Sequence, residues 1–205
     1  MPHDHDAGRL SRRRLIGGTL AASTTALGAA AFASAAPAVA GSSAGFRWCN
    51  RCQGMWFRSS GDSGHCPVHH WWDHSHYEEG SGTYWFTDGT PQPGQDRFGM
   101  LALKWCLTCK AAYFSGGRGV CPNNENGHTP SARTFRIETD LQPPLSNFPK
   151  QGGWCRCRRC RALFYLPHLG RSHCPAATGP TPWHDGAYVR TGSGWRYENH
   201  LPRLK

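Results

Sequence analysis

Nine of the ten cysteines in this 205-residue chain fall into one pattern written three times. The first copy runs Cys49-x-x-Cys52, an aromatic pair Trp56-Phe57, then Cys66-Pro67. The second runs Cys106-x-x-Cys109, Tyr113-Phe114, Cys121-Pro122, and the third Cys157-x-x-Cys160, Phe164-Tyr165, Cys174-Pro175. A unit of this length is near the size at which an apolar core alone stops being sufficient, so it needs a covalent or metal staple. Three cysteines per unit is an odd number, and disulfides cannot close within a repeat. They would have to pair between repeats and leave one residue over. A metal site has no parity problem, because C-x2-C on one turn, a third Cys on a second and one imidazole complete a tetrahedron. The pattern predicts three zinc sites per chain, with inter-repeat disulfides as the competing arrangement.

Each repeat carries a histidine after its Cys-Pro. His128 is the sole candidate in the second, and His184 completes the third unless His173 does. The first offers His69, His70, His74 and His76. His76 ranks first because it repeats the ten-residue spacing that separates His184 from Cys174, and His74 ranks second. The third repeat departs from the others in Trp154-Cys155-Arg156-Cys157, where two more residues separate Trp from the C-x2-C. Cys155 reads as an alternative fourth ligand, an incidental cysteine, or a thiol whose ionisation the flanking Arg156, Arg158, Arg159 and Arg161 favour.

The rest of the sequence predicts an all-β chain. Gly and Pro make up 40 of 205 residues, and after residue 40 no stretch keeps a helical period. Extended aromatic segments follow each Cys-Pro loop at residues 83–86, 134–137 and 187–190. The organisation reads as repeat 1 over 41–88, a linker over 89–102, repeat 2 over 103–138, a linker over 139–152, and repeat 3 with a tail over 153–205. Three small metal-stapled β repeats could stand as beads, or pack about a pseudo-threefold axis as in a β-trefoil.

Residues 1–40 read as a targeting segment. Ser11-Arg12-Arg13-Arg14-Leu15-Ile16 resembles the twin-arginine export motif, an Ala/Gly-rich apolar stretch follows, and Ala38-Val39-Ala40 suits cleavage before Gly41. His3 and His5 lie upstream and would be lost with it. Twin-arginine carriers move chains already folded in a reducing cytoplasm, which favours metal thiolates over disulfides. The expectation is a secreted protein with no membrane association after processing. The repeat pattern, with Trp48 before Cys49 and Gly80–Tyr84 closing the loop, resembles tandem Cys/Trp-rich repeats of secreted actinobacterial proteins. That resemblance covers most of residues 46–190 and implies secretion and repeat structure, but no reaction.

Known catalytic motifs are missing from the sequence, and closed sites of three cysteines and a histidine leave no position for a substrate water. Carboxylates gather in the first repeat (Asp62, Asp73, Glu78, Glu79, Asp88), where scattered solvated loop acids are the simpler reading of an unrecognised hydrolase-like cluster. Binding signals are stronger. Residues 41–205 hold 19 basic and 11 acidic side chains, and residues 152–205 hold nine of the former and two of the latter. Arg156, Arg158, Arg159 and Arg161 beside Trp154, Phe164, Tyr165 and Trp195 suit an anionic polymer, in a secreted protein a wall polymer, extracellular DNA or acidic polysaccharide, or else single-stranded nucleic acid in the manner of zinc knuckles. Trp71, Trp72 and Trp85 exceed what a small core needs and would serve as platforms for sugar rings, unless they supply that core. The sequence therefore predicts a zinc-stapled binding or scaffold module for a carbohydrate or anionic polymer. A nucleic-acid-binding knuckle array and a thiol or hydrolytic enzyme are the alternatives.

Overall fold

A computed structural model describes residues 42–59, 61–90, 101–141 and 149–204. The segment expected to direct export, most of the first linker and half of the second lie outside the described residues. Twelve strands and one 3-10 segment, Leu166–Arg171, make up the regular structure described. Repeat 1 supplies β1 (Ser42–Trp48), β2 (Met55–Phe57) and β3 (Tyr84–Asp88), ordered β2-β1-β3. Repeat 2 supplies β4 (Leu101–Trp105), β5 (Ala112–Phe114) and β6 (Phe135–Thr139) in the same arrangement. Repeat 3 begins likewise with β7 (Trp154–Arg156) and β8 (Leu163–Tyr165).

Its third strand breaks the pattern. β9 (Tyr188–Thr191) pairs only with β10 (Gly194–Tyr197), through a two-residue Gly192-Ser193 turn, in a separate hairpin. The third-strand position beside β7 goes instead to β11 (His200–Leu201), through His200 opposite Trp154. The physical reason is exposure. Tyr188, Arg190, Gly194 and Trp195 face water, so β9 has no apolar face to bury, whereas His200 is fully buried.

These third strands join the repeats. β3 pairs with β6, β6 with β11, and β12 (Arg203–Leu204), one residue beyond β11, returns to β3. At the opposite end, the turns interlock in one cyclic sense. The Phe57 amide donates to Lys110 O, that of Phe114 to Arg161 O, and that of Tyr165 to Gln53 O, at 2.9, 3.1 and 2.9 Å. The three repeats therefore form a single closed ring about a pseudo-threefold axis, not beads. Inside it, Phe46, Phe86, Leu103, Phe114, Phe135, Ile137 and Trp154 form one core, with Phe46 edge-on to Phe86 and Phe135 at 4.6 and 5.3 Å.

Strand register resolves the irregular third repeat. Trp154 lies opposite Tyr165 as Phe46 lies opposite Phe57 and Leu103 opposite Phe114. No residues are inserted. Trp154 fills the core position three before the first cysteine, Cys155 stands where Arg47 and Lys104 stand, and Arg156 takes the place of Trp48 and Trp105. Arg156 keeps a stacking role, its guanidinium 5.9 Å from the Phe114 ring centre, and it pairs with Glu198 at 3.3 Å. His200 completes this seam, 4.8 Å from Phe114. Burial, with the charge of Arg156, pushes its imidazole down to about 3.

Candidate metal centres

Each C-x2-C folds into the same tight knuckle. The residue after the second cysteine takes the left-handed conformation: Gln53 at φ +64°, Lys110 at +62° and Arg161 at +67°. Its amide donates back to the first cysteine carbonyl at 2.8, 2.9 and 3.0 Å, and the first cysteine amide donates forward to residue 54, 111 or 162 at 2.9 Å. L-residues enter this region at a cost, so three in register mark a shape the fold imposes.

The third cysteine and the histidine then close each knuckle. Three groups gather their ligand atoms within 4.8 Å of one another: Cys49, Cys52, Cys66 and His76; Cys106, Cys109, Cys121 and His128; Cys157, Cys160, Cys174 and His184. All twelve residues are buried. The first-to-third Sγ separations are 3.8, 3.9 and 3.7 Å, and the second Sγ lies 3.7, 3.5 and 3.4 Å from the histidine Nδ1. Tetrahedral bonds of about 2.3 Å to sulfur and 2.0–2.1 Å to nitrogen require about 3.8 Å between sulfurs and 3.5 Å from sulfur to nitrogen. These separations already match a four-coordinate ion, while a disulfide needs sulfurs about 2.05 Å apart.

Three thiols this close do not ionise independently. Cys106 and Cys157 are held far below an ordinary thiol, chiefly by hydrogen bonds from Cys109 and Cys160 respectively, then from Cys121 and Cys174. Cys109 is pushed well up, first by its bond to Cys106, and Cys160 first by burial. Each cluster thus holds at least one cysteine lowered towards the thiolate (Cys49 in the first, Cys106 with Cys121 in the second, Cys157 in the third), which suits a divalent cation. Further donors support the sulfurs: the Tyr77 amide reaches Cys49 Sγ at 3.4 Å, and that of Thr129 reaches Cys106 Sγ at 3.3 Å.

The aromatic pair also finds its purpose. Its first member stacks on the ligand imidazole in every repeat: Trp56 on His76, Tyr113 on His128 and Phe164 on His184, with interplanar angles of 16°, 24° and 19°. The outer imidazole nitrogen donates across the repeat boundary, His76 Nε2 to Cys109 O at 3.0 Å and His128 Nε2 to Cys160 O at 3.2 Å. Each of these bonds fixes tautomer and ring orientation, so one repeat's knuckle positions its neighbour's ligand.

Two metal candidates lie outside the clusters. His74 is excluded because its carbonyl, accepting from the Cys66 amide at 2.6 Å, fixes the loop while its ring turns towards His65 and His69. Cys155 packs beside the cysteines of its repeat but is not gathered with their ligand atoms, and its Sγ lies 3.6 Å from Ala187 O. Burial, the largest influence, pushes its thiol up to about 12, against the ionised form that the surrounding arginines suggested.

The surface candidates divide. Trp71 and Trp72 are 84% and 65% exposed, at the tip of a tight turn bridged between His70 and Asp73. Trp85 instead lies in β3 with the Arg203 guanidinium over its ring at 5.0 Å. Arg161 spans the seam to Phe114 O at 2.9 Å, a structural role. Arg158 and Arg159 share Asp185 at 2.8 and 3.7 Å. Arg158 also covers Tyr188 at 5.3 Å and, with Arg156, Ala187, Tyr188 and Trp195, lines a groove of about 450 Å³. Trp195 is 71% exposed there. The sequence sets Trp195 among the aromatics beside these arginines, but Tyr188 was missed as a contact, and the Gly-Ser turn between two aromatic segments was the available signal. No helix of the described residues is long and apolar enough to cross a membrane. No protein-family model, curated protein or solved structure matches the chain.

Proposed function

We propose that the protein is a zinc-stapled binding module that acts outside the cell and holds an anionic carbohydrate polymer, such as a wall polysaccharide, against its third repeat. Zinc is the ion that suits three thiolates and one imidazole at tetrahedral spacing in a closed site, and such sites stabilise folds and leave no position for a reacting water. The twin-arginine pattern in residues 11–16 supports export.

The observation that carries the binding assignment is the β9–β10 hairpin. Among the described residues repeats 1 and 2 show no such hairpin, and the ring closes through β11 and β12 without it. It presents Trp195 and Tyr188 beside Arg158, a stacking surface next to a cation, in the repeat that holds most of the net positive charge. Flat sugar faces pack on such rings and uronate or phosphate groups pair with the arginine.

Affinity for purified wall polysaccharide and for single-stranded DNA, measured across a salt series, tests the reading. Trp195→Ala and Arg158→Ala are each expected to weaken polysaccharide binding about tenfold or more, consistent with loss of a principal contact. Polysaccharide binding that is untouched by both variants overturns the assignment. Tight binding of DNA alone, with a steep salt slope, replaces it with the nucleic-acid reading.

A further inference from the structure

A fourth group of ligand atoms lies outside the three clusters. His65, His69 and His74 bring three ring nitrogens within 4.8 Å of one another on the surface loop of repeat 1. His74 sits between the other two, its ring centre 4.7 Å from that of His65 and 4.4 Å from that of His69. Its Nδ1 is buried without a hydrogen-bond partner. We propose that these three histidines form a second kind of metal site, one that binds a divalent ion of the nickel–copper–zinc group through three imidazoles and leaves its remaining coordination positions open to solvent.

The loop backbone is fixed before any ion arrives. The Cys66 amide donates to His74 O at 2.6 Å, the His65 amide to Cys109 O at 3.1 Å, and His70 and Asp73 exchange amide bonds at 3.1 Å. Metal–nitrogen bonds of about 2.0–2.1 Å bring three imidazole nitrogens to about 3.4 Å apart, so ring rotation and a shift of little over 1 Å complete the site. Imidazole-only donor sets suit these late divalent ions rather than magnesium or calcium, which take oxygen. Both carboxylates between Phe57 and His76 are already engaged: Asp73 binds Arg51 at 2.7 Å and the Ser75 amide at 2.9 Å, and Asp62 binds Lys110 and the Gly64 amide, each at 2.8 Å.

Repeat 3 shows that the fold does not require these rings. Its loop has the same length, and the Cys174 amide donates to Pro182 O at 2.7 Å as that of Cys66 does to His74 O. It keeps His173 at the position of His65, but Ala177 and Pro182 occupy those of His69 and His74. Two of the three imidazoles are therefore additions to a scaffold that stands without them. The burial contrast points the same way. The structural clusters are sealed, while His69 is exposed and its two partners are half-buried, so an ion held here meets solvent.

The test uses the full chain carrying His3→Ala and His5→Ala, because amino-terminal imidazoles compete for the same ion. With the structural sites loaded with zinc, NiCl2 is titrated by calorimetry. The expected result is one nickel equivalent per chain, with the tryptophan fluorescence of Trp71 and Trp72 changing over the same range. His69→Ala and His74→Ala are each expected to weaken nickel binding tenfold or more while the zinc content and circular dichroism stay unchanged. The exposed His69 makes the first variant safe for folding. Absence of a nickel equivalent, or an equivalent bound equally well by both variants, overturns the site.

Discussion

Gly119→Ala tests how tightly the ring is drawn around its metal centres. Gly119 sits at φ +60°, and a Cβ there would fall 2.8 Å from the Cys160 carbonyl carbon and closer still to its oxygen, well inside the 3.0 Å that Cβ atoms respect. That carbonyl is the acceptor for His128 Nε2, so the added methyl strikes the joint between the second and third centres. The left-handed conformation costs an L-residue about 1–2 kcal/mol, and crowding against backbone costs about 1–3 kcal/mol more. Stiffening of the unfolded chain offsets about 0.4–1 kcal/mol. Gly61→Ala is the control, since it stands at φ +75° with nothing within 4 Å of the new methyl. The unfolding midpoint, at fixed free zinc because bound metal shifts apparent stability, should fall about 2–12 °C further for Gly119→Ala than for Gly61→Ala, since only the crowding of about 1–3 kcal/mol separates them, at about 2–4 °C per kcal/mol. Zinc release to a chromogenic chelator should quicken in parallel. Equal midpoints for the two variants would show that Cys160 is not held against Gly119, and the account of interlocked repeats would fail with them.

Elemental analysis should find three zinc ions per chain; Cys109→Ser should lose metal and Cys155→Ser should retain all three, and equal loss from both would place Cys155 among the ligands. Cys155 is fully buried, so native protein should resist alkylation there until it is unfolded, and labelling by iodoacetamide in the folded state would contradict the packing. His200 supplies the pH dependence. Its folded pKa, lowered to about 3, lies below the ordinary 6.5, so its contribution is complete above 6.5 and is lost as pH falls towards 3, at up to about 1.4 kcal/mol per pH unit. Glu198 and Arg156 are the charged groups beside it. His200→Leu should flatten the stability profile below pH 6.5, and an unchanged slope between pH 6.5 and 5 would refute the assignment.

The ligand sets were largely legible because coordination imposes short-range spacing. C-x2-C, the Cys-Pro and the ten-residue interval to His76 and His184 are local consequences of one knuckle repeated. The aromatic pair was visible too, but not its purpose, since Trp56, Tyr113 and Phe164 meet their imidazoles only once the loop has folded back. Trp154 misled the alignment. A tryptophan near a C-x2-C resembles Trp48 and Trp105, and only pairing with Tyr165 shows it in the core position of Phe46. Ring closure was the least legible feature. β11 and β12 are two residues each, too short to carry a periodic signal, and their partners lie in other repeats.

That closure has a consequence in time. As the chain is synthesised, repeats 1 and 2 can join through β3 and β6 as soon as Thr139 is available, but the rest of that edge of β3, at Tyr84 and Trp85, waits for Arg203 and Leu204, well over a hundred residues later. Until then each partial product carries open strand edges that invite pairing with a neighbouring chain. A nascent chain that stalls before residue 204 is therefore not a shorter version of this protein but a sticky one, and two residues, Arg203 and Leu204, decide whether a molecule can be left alone.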